Sequence, residues 1–406
     1  MSKLPFEGIR VADFGWVIAA PACTLWLANM GAEVIKIETK AHPETLRTIN
    51  HGGYADGVPG LNRAGGFNSL NYSKYSCSLD LTRPRARELA KEIIKKSDVV
   101  VEAYTGSVAE RFGLTYPELQ AVKPDIILLS ISSLGKTGPL WDATGFGPAN
   151  QAYASLPSMT GYEGSIGSNM GGTWPDYLVG IACAYLAVAG LYYRRRTGRG
   201  LHLDLSMVQV VLNMIPGQLL DYQMNGRIAQ PQGNRDPMAA PHGVYRCLGD
   251  DKWVAIAVQD EEQWRALCRA AGHPEWEADD RFADLSSRQR NQHELDALIT
   301  QWTLVHTATD VMEKLQNVGV AAGPSQNSRD LINDPQLRHR NQFIEMDHPE
   351  AGRRLTMAAP ALFSAIPERR YFPAPLLDQH NRRVFGELLG MSQQEIDSLT
   401  EAGVIF

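Results

Sequence analysis

Residues 9–38 constrain the fold more than any other stretch. Ile9-Arg-Val-Ala-Asp-Phe reads as a strand, 22–30 as a helix closed by Gly31, and Glu33-Val-Ile-Lys-Ile-Glu38 as a second strand. A glycine just past a helix supplies the left-handed backbone that ends it, and β-branched runs of this length favour strands. Two strands joined through one helix run parallel, so the segment opens a doubly wound sheet. The alternation continues with strands at 77–81, 98–102 and 126–131, helices at 84–96 and 117–122, then a strand at 201–205 and a helix at 208–224. The predicted class is α/β with a Rossmann-like sheet, whose ligands bind at the carboxyl ends of the strands.

A chain of 406 residues exceeds what one hydrophobic core usually organises, so two domains are expected. Residues 1–220 are assigned to a large domain. The stretch 225–242, rich in Gly, Pro, Asn and Gln, marks a linker or functional loop. Residues 226–325 then read as a smaller α+β domain, with a hairpin over 243–258 and helices at 261–271 and 288–305. Gly319 to Pro324 is expected to lead back to the large domain, with 326–406 as the returning segment and helices at 381–389 and 392–402.

Composition excludes several classes. With 44% hydrophobic and 21% charged residues the chain is an ordinary globular one, and a net charge of −6 with only short basic clusters such as Arg194-Arg195-Arg196 points to no nucleic-acid partner. Five scattered cysteines without C-x-x-C spacing indicate reduced thiols, no disulfide framework and no metal site. The N-terminus lacks the apolar stretch of a signal peptide, so a cytoplasmic location is expected. Residues 177–193 are almost wholly apolar, yet short for a span; the Ala and Gly content reads as a helix buried on all sides of an α/β core, with no membrane partner. Nucleotide loops are lacking too. Gly135-Lys-Thr has no glycine five residues earlier, and the loop Gly15-Trp-Val-Ile-Ala-Ala-Pro21 has one glycine where a dinucleotide fingerprint has three.

Asp176, in Gly171-Gly-Thr-Trp-Pro-Asp-Tyr-Leu-Val-Gly180, stands where the long apolar helix begins. Free N–H groups and the positive dipole end there are expected to keep its carboxylate ionised. Two readings stay open on the residues alone: a helix cap, or a nucleophilic carboxylate between a glycine-rich loop and a rigid helix.

Across nearly its whole length the chain resembles the class III CoA-transferases, the CaiB/BaiF family of formyl-CoA and carnitine CoA-transferases. The resemblance is carried by Gly8-Ile-Arg-Val-Ala-Asp13, Gly31-Ala-Glu-Val-Ile-Lys-Ile-Glu38, Asn71-Tyr-Ser-Lys74, Arg111-Phe-Gly-Leu, Gly135-Lys-Thr-Gly-Pro139, Arg196-Thr-Gly-Arg-Gly200, Gly319-Val-Ala-Ala-Gly-Pro324 and Pro375-Leu-Leu-Asp-Gln-His380, in family order around Asp176. It implies that Asp176 is the nucleophile, passing through a mixed anhydride and an aspartyl-CoA thioester. Coenzyme A thioesters are then substrates, and no tightly bound cofactor is implied. Lys74 and Arg111 match family ligands of the adenosine phosphates, Val17 a backbone contact to adenine, and Arg47 the arginine of a D-x-x-R stretch in which Glu44 replaces the acid.

Departures from the family bear on substrate. Ala103 stands where an Asn is usual. Ile18 replaces a glutamine of the acyl pocket, which with Trp16 implies a more apolar pocket. Gly233-Asn-Arg235 takes the place of the glycine run that covers the intermediate. The closest likeness is to transferases that use succinyl-CoA to activate aryl-substituted succinates such as benzylsuccinate. A racemase or epimerase of the same superfamily is the alternative, but its histidine before the apolar helix is missing: that loop reads Gly145-Phe-Gly-Pro148. A non-catalytic CoA-binding subunit is the third reading. The resemblance further implies two interlinked chains, as a homodimer or beside a homologous subunit.

Overall fold

The computed structural model describes residues 4–49, 51–366 and 371–406; the first three residues of the N-terminal reading lie outside these. The chain divides into two compact units. The first comprises Met1–Pro157, Asn169–Ala229 and Asn341–Phe406, the second Ser158–Ser168 and Gln230–Arg340.

The first unit is built on six strands, β1 (Arg10–Phe14), β2 (Glu33–Glu38), β3 (Tyr75–Ser78), β4 (Val99–Glu102), β5 (Ile127–Ser132) and β6 (Leu201–Ser206). Their order is β3-β2-β1-β4-β5-β6 and every neighbouring pair is parallel. This is the doubly wound order, with its switch point between β1 and β4. Alternate residues feed two cores because side chains alternate across a strand. Val11, Val34, Val99, Val101, Ile127 and Leu129 pack with helix α1 (Ala19–Asn29). Ala12, Ile35, Ile37, Val100 and Leu128 pack on the opposite face with helix α2 (Pro84–Lys95) and the C-terminal residues Val384, Phe385 and Ile405. The sequence of α2 explains its seat: Ala86, Leu89, Ala90, Ile93 and Ile94 follow helical spacing and are its buried residues, and Pro84 opens its first turn.

The apolar helix spans Trp174–Thr197 and is long and apolar enough, by length and composition, to cross a membrane. It is not buried on all sides. Val179, Gly180, Cys183, Ala187 and Gly190 face inward, while Tyr177, Ile181, Tyr185, Val188 and Tyr192 are exposed. Gly180 permits the close seat on α1, since a Cβ there would lie 2.6 Å from that of Ala22.

Other boundaries differ from expectation for identifiable reasons. The helix expected at 208–224 is two, Met207–Leu212 and Pro216–Asn225, because Pro216 lacks the N–H to continue the first. The helix expected at 288–305 is likewise divided at Asn291. Residues 319–324 do not lead back to the sheet. Ala321–Ser325 pairs antiparallel with Trp253–Ala257, which also pairs with His242–Arg246, so the second unit carries a three-stranded sheet and extends to Arg340. Its core gathers Trp264, Leu267, Phe282, Leu295, Ile299, Val311 and Leu315.

Candidate active site

A cavity of about 530 Å³ opens at the carboxyl ends of the parallel strands. Each strand's outgoing chain contributes: Trp16 and Val17 after β1, Glu38 and Thr39 at β2, Leu79 and Asp80 after β3, Ala103, Tyr104 and Thr105 after β4, Ser132 and Ser133 at β5, and Met207 after β6. Val108 and Phe112 from helix α3 (Gly106–Phe112), segment 143–146 and Asp176 complete it. The wall is largely aromatic and aliphatic, with Trp16, Tyr104, Phe112, Phe146, Ile131 and Met207. Such a wall suits the carbon-rich part of a ligand.

Buried charges hold the loops around this cavity. Asp13 accepts from Gly15 N at 2.8 Å and from the Thr24 hydroxyl at 2.6 Å. Lys36 Nζ donates to Gly15 O at 2.8 Å, and Glu44 Oε1 accepts from Val17 N at 2.6 Å, fixing Val17 at φ 62°. The loop after β4 is tied by Glu102, which accepts from Tyr104 N at 2.8 Å, and by Lys136, which donates to Tyr104 O at 2.6 Å. Burial raises the Tyr104 hydroxyl well above its ordinary value, against the lowering effect of a hydrogen bond with Trp16.

Asp176 occupies the first turn of its helix and does not cap it; the capping position is Thr173. It is 6% exposed, and its Oδ2 has no hydrogen-bond partner. Burial pushes its carboxyl up to about 6, only partly opposed by a hydrogen bond from its own backbone N–H. Desolvation thus works against the charged form, and at about 6 the carboxyl is still largely ionised at neutral pH. A carboxylate in this state is poorly solvated and has a free lone pair, which is what a nucleophile needs.

The structure brings some expected residues to the cavity and withdraws others. Trp16, Val17 and Asp176 line it. Ile18 does not; it is 1% exposed and packs with Ala22, Leu46, Phe67 and Leu70, so it cannot shape the acyl pocket. Lys74 is also withdrawn. Its ammonium is fully buried and donates to Pro21 O, Thr24 Oγ1 and Asn71 Oδ1 at 2.8–2.9 Å, with Asp13 at 3.4 Å, leaving nothing for a phosphate. Burial, countered by Asp13, lowers it to about 8. Arg47 is spent on Glu38 and is 1% exposed. Arg111 is exposed in the last turn of α3, beside cavity residue Phe112. Gly233 belongs to the second unit, where its N–H donates to Gly161 O at 2.8 Å.

Sequence reasoning missed Tyr104, Phe112, Phe146, Met207 and His42, all cavity-lining. A usable signal existed for Tyr104 and Met207: each stands within two residues of a strand's carboxyl end. Among the described residues no group of three His, Cys, Asp or Glu is placed to hold a metal ion.

Known proteins resemble the chain along nearly its whole length. The model of CoA-transferase family III matches residues 6–381. The chain is 31% identical to succinyl-CoA–D-citramalate CoA-transferase of Chloroflexus aurantiacus over 99% of its length and 98% of that protein's. It is 29% identical to formyl-CoA:oxalate CoA-transferase of a Bradyrhizobium species, over 98% and 97%. A solved CaiB/BaiF family protein from Brucella suis superposes with a TM-score of 0.86 at 26% identity, covering 95% of this chain and 100% of its own. With its doubly wound sheet, its strand-end cavity and these relatives, the chain belongs to CoA-transferase family III and is a class III CoA-transferase acting on CoA thioesters.

Proposed function

We propose that this enzyme moves coenzyme A from succinyl-CoA to a substituted dicarboxylic acid of the benzylsuccinate type, with Asp176 as the nucleophile. The observation that carries the reading is the buried Asp176 carboxylate, whose Oδ2 has no hydrogen-bond partner, in a cavity with a predominantly apolar wall. Attack on the donor thioester carbonyl breaks the C–S bond, releases CoA thiolate and leaves an acyl aspartyl anhydride. The thiolate then attacks the Asp176 carbonyl carbon, freeing the donor acid and forming an aspartyl-CoA thioester. The acceptor carboxylate runs the two steps in reverse. One thioester replaces another, so the exchange is close to balanced. Shielding the anhydride from water falls to the glycine-rich stretch around Gly171, and backbone N–H groups serve the transient oxyanions.

Succinyl-CoA as donor is supported by the name of the Chloroflexus relative. Its acceptor, citramalate, is the smaller and more polar alternative. The apolar wall of Trp16, Val108, Phe112 and Phe146 supports the aryl acceptor, although Ile18 no longer contributes to that argument. Segment 143–146, which lines the cavity along with Asp176, supplies no acid–base side chain, which favours transfer over racemisation. Arg111 is the remaining phosphate ligand of this reading. Two copies of the chain form the working assembly, supported by the exposed apolar face from Tyr177 to Tyr192.

Intact-mass spectra after incubation with succinyl-CoA, then with benzylsuccinate or citramalate, test the reading. An aspartyl-CoA adduct on Asp176 that benzylsuccinate discharges faster than citramalate is expected. Faster discharge by citramalate would move the acceptor to the small hydroxy acids, and no adduct would remove the covalent mechanism.

A further inference from the structure

Asp176 is surrounded by an arrangement that its role as nucleophile does not by itself require. Gly147 opens helix α4 (Gly147–Tyr153), and a Cβ built on it would lie 2.5 Å from Asp176 Oδ2 and 3.4 Å from Thr173 Cγ2. Real Cβ atoms do not approach an oxygen so closely, so any side chain there must displace the carboxylate or the helix start. Two residues earlier, Gly145 is wedged as tightly. Its Cβ would lie 2.5 Å from Ser133 Oγ and 2.9 Å from Asn150 Oδ1. Asn150 in turn donates its backbone N–H to Phe146 O at 3.0 Å and its side-chain amide to the sulfur of cavity residue Met207 at 3.4 Å. Segment 145–147 is thus fixed from both sides before it meets Asp176.

We infer that Gly147 is a positioning residue: its lack of a side chain leaves the space in which the Asp176 carboxylate stands, so the nucleophile is oriented by backbone packing and not by hydrogen bonds to Oδ2. This deepens the proposed function and rests on Asp176 being the nucleophile. Hydrogen-bond donors would hold a carboxylate equally well, but they stabilise its charge and lower its basicity. Packing fixes the direction of the oxygen while leaving its lone pairs available. The same contact excludes water from one side of the carboxylate, in keeping with its raised pKa.

The test pairs kinetics with a melting cycle. Gly147→Ala is expected to lower kcat about 100-fold, the scale of an ångström-level misplacement of a reacting group, with little change in KM for the CoA donor. The control is Gly217→Ala, an exposed glycine with nothing within 4 Å of its Cβ position. A Gly147→Ala kcat equal to that of the control, or a loss confined to KM, overturns the inference. Melting temperatures of Gly147→Ala, Asp176→Ala and the double variant isolate the contact. The loss caused by Gly147→Ala should shrink once the Asp176 carboxylate is gone, and a double variant should fold even if Gly147→Ala alone does not. An undiminished loss, or a double variant that also fails to fold, overturns it. The cycle reads the contact alone, so its failure is distinguishable from failure of the nucleophile assignment, which turnover by Asp176→Asn reports.

Discussion

Arg47 grips the Glu38 carboxylate through Nε at 2.8 Å and Nη2 at 2.9 Å, with both side chains sealed from solvent. The guanidinium also lies over the Phe67 ring at 3.5 Å. Burial works to raise the Glu38 carboxyl, but the Arg47 charge and hydrogen bonds override it and hold it below the ordinary range. Removing one partner of a buried pair strands the other, at a cost of about 3–5 kcal/mol. Arg47→Ala should therefore lower the urea midpoint sharply, and pairing it with Glu38→Gln should recover part of the loss. A midpoint unchanged by Arg47→Ala would show that the pair is not buried in solution.

Asp176 should make the protein less stable as it ionises. Its carboxyl titrates near 6 in the fold, against an ordinary value of 3.8. The stability it contributes is fully present below pH 4 and is lost as pH rises through 6. The raised value corresponds to roughly 3 kcal/mol at neutral pH. Asp176→Asn should melt higher than the wild type at pH 8 and close to it at pH 4. A constant difference across that range would contradict the sign.

Catalysis should follow the same ionisation in the opposite sense. Only the carboxylate attacks, so kcat/KM for the CoA donor should fall as pH drops through about 6. A profile flat down to pH 4 would place the titrating group elsewhere.

Arg111 and Lys74 should separate cleanly. Arg111→Ala should raise KM for CoA donors while leaving a truncated pantetheine donor unaffected, through loss of a charge-assisted contact worth roughly 1.5–3 kcal/mol. Lys74→Ala should instead depress the melting temperature and affect both donors alike, because its ammonium serves Asp13, Pro21, Thr24 and Asn71. A donor-selective effect of Lys74→Ala would restore it as a phosphate ligand.

Tyr185, 71% exposed on the apolar face of its helix, should matter to assembly. Equilibrium sedimentation of the wild type should give two chains at micromolar concentration, and Tyr185→Glu should weaken that association. A monomeric wild type would remove the two-chain assembly.

Local pattern was enough for the sheet. The β-branched runs at 33–38 and 98–102 and the helical spacing of Ala86, Leu89, Ala90, Ile93 and Ile94 are short-range signals, and each formed its element within one residue of where it was read. Asp176 and Trp16 were legible through the family resemblance; on the residues alone Asp176 stayed open between cap and nucleophile. The fate of the cations was not legible. Lys74 and Arg47 look in sequence like Arg111, yet their partners lie up to 61 and 328 positions away, at Asp13 and Pro375. Nothing local tells a phosphate ligand from a buried structural charge. The sequence by itself determined the α/β class, the family and the position of the carboxylate. Only the tertiary structure decided which charges face the cavity, that one face of the apolar helix stays uncovered, and that Gly147 leaves the space for Asp176. Those outcomes depend on which distant side chain fills each space, and burial strengthens every such pairing beyond what spacing along the chain can encode.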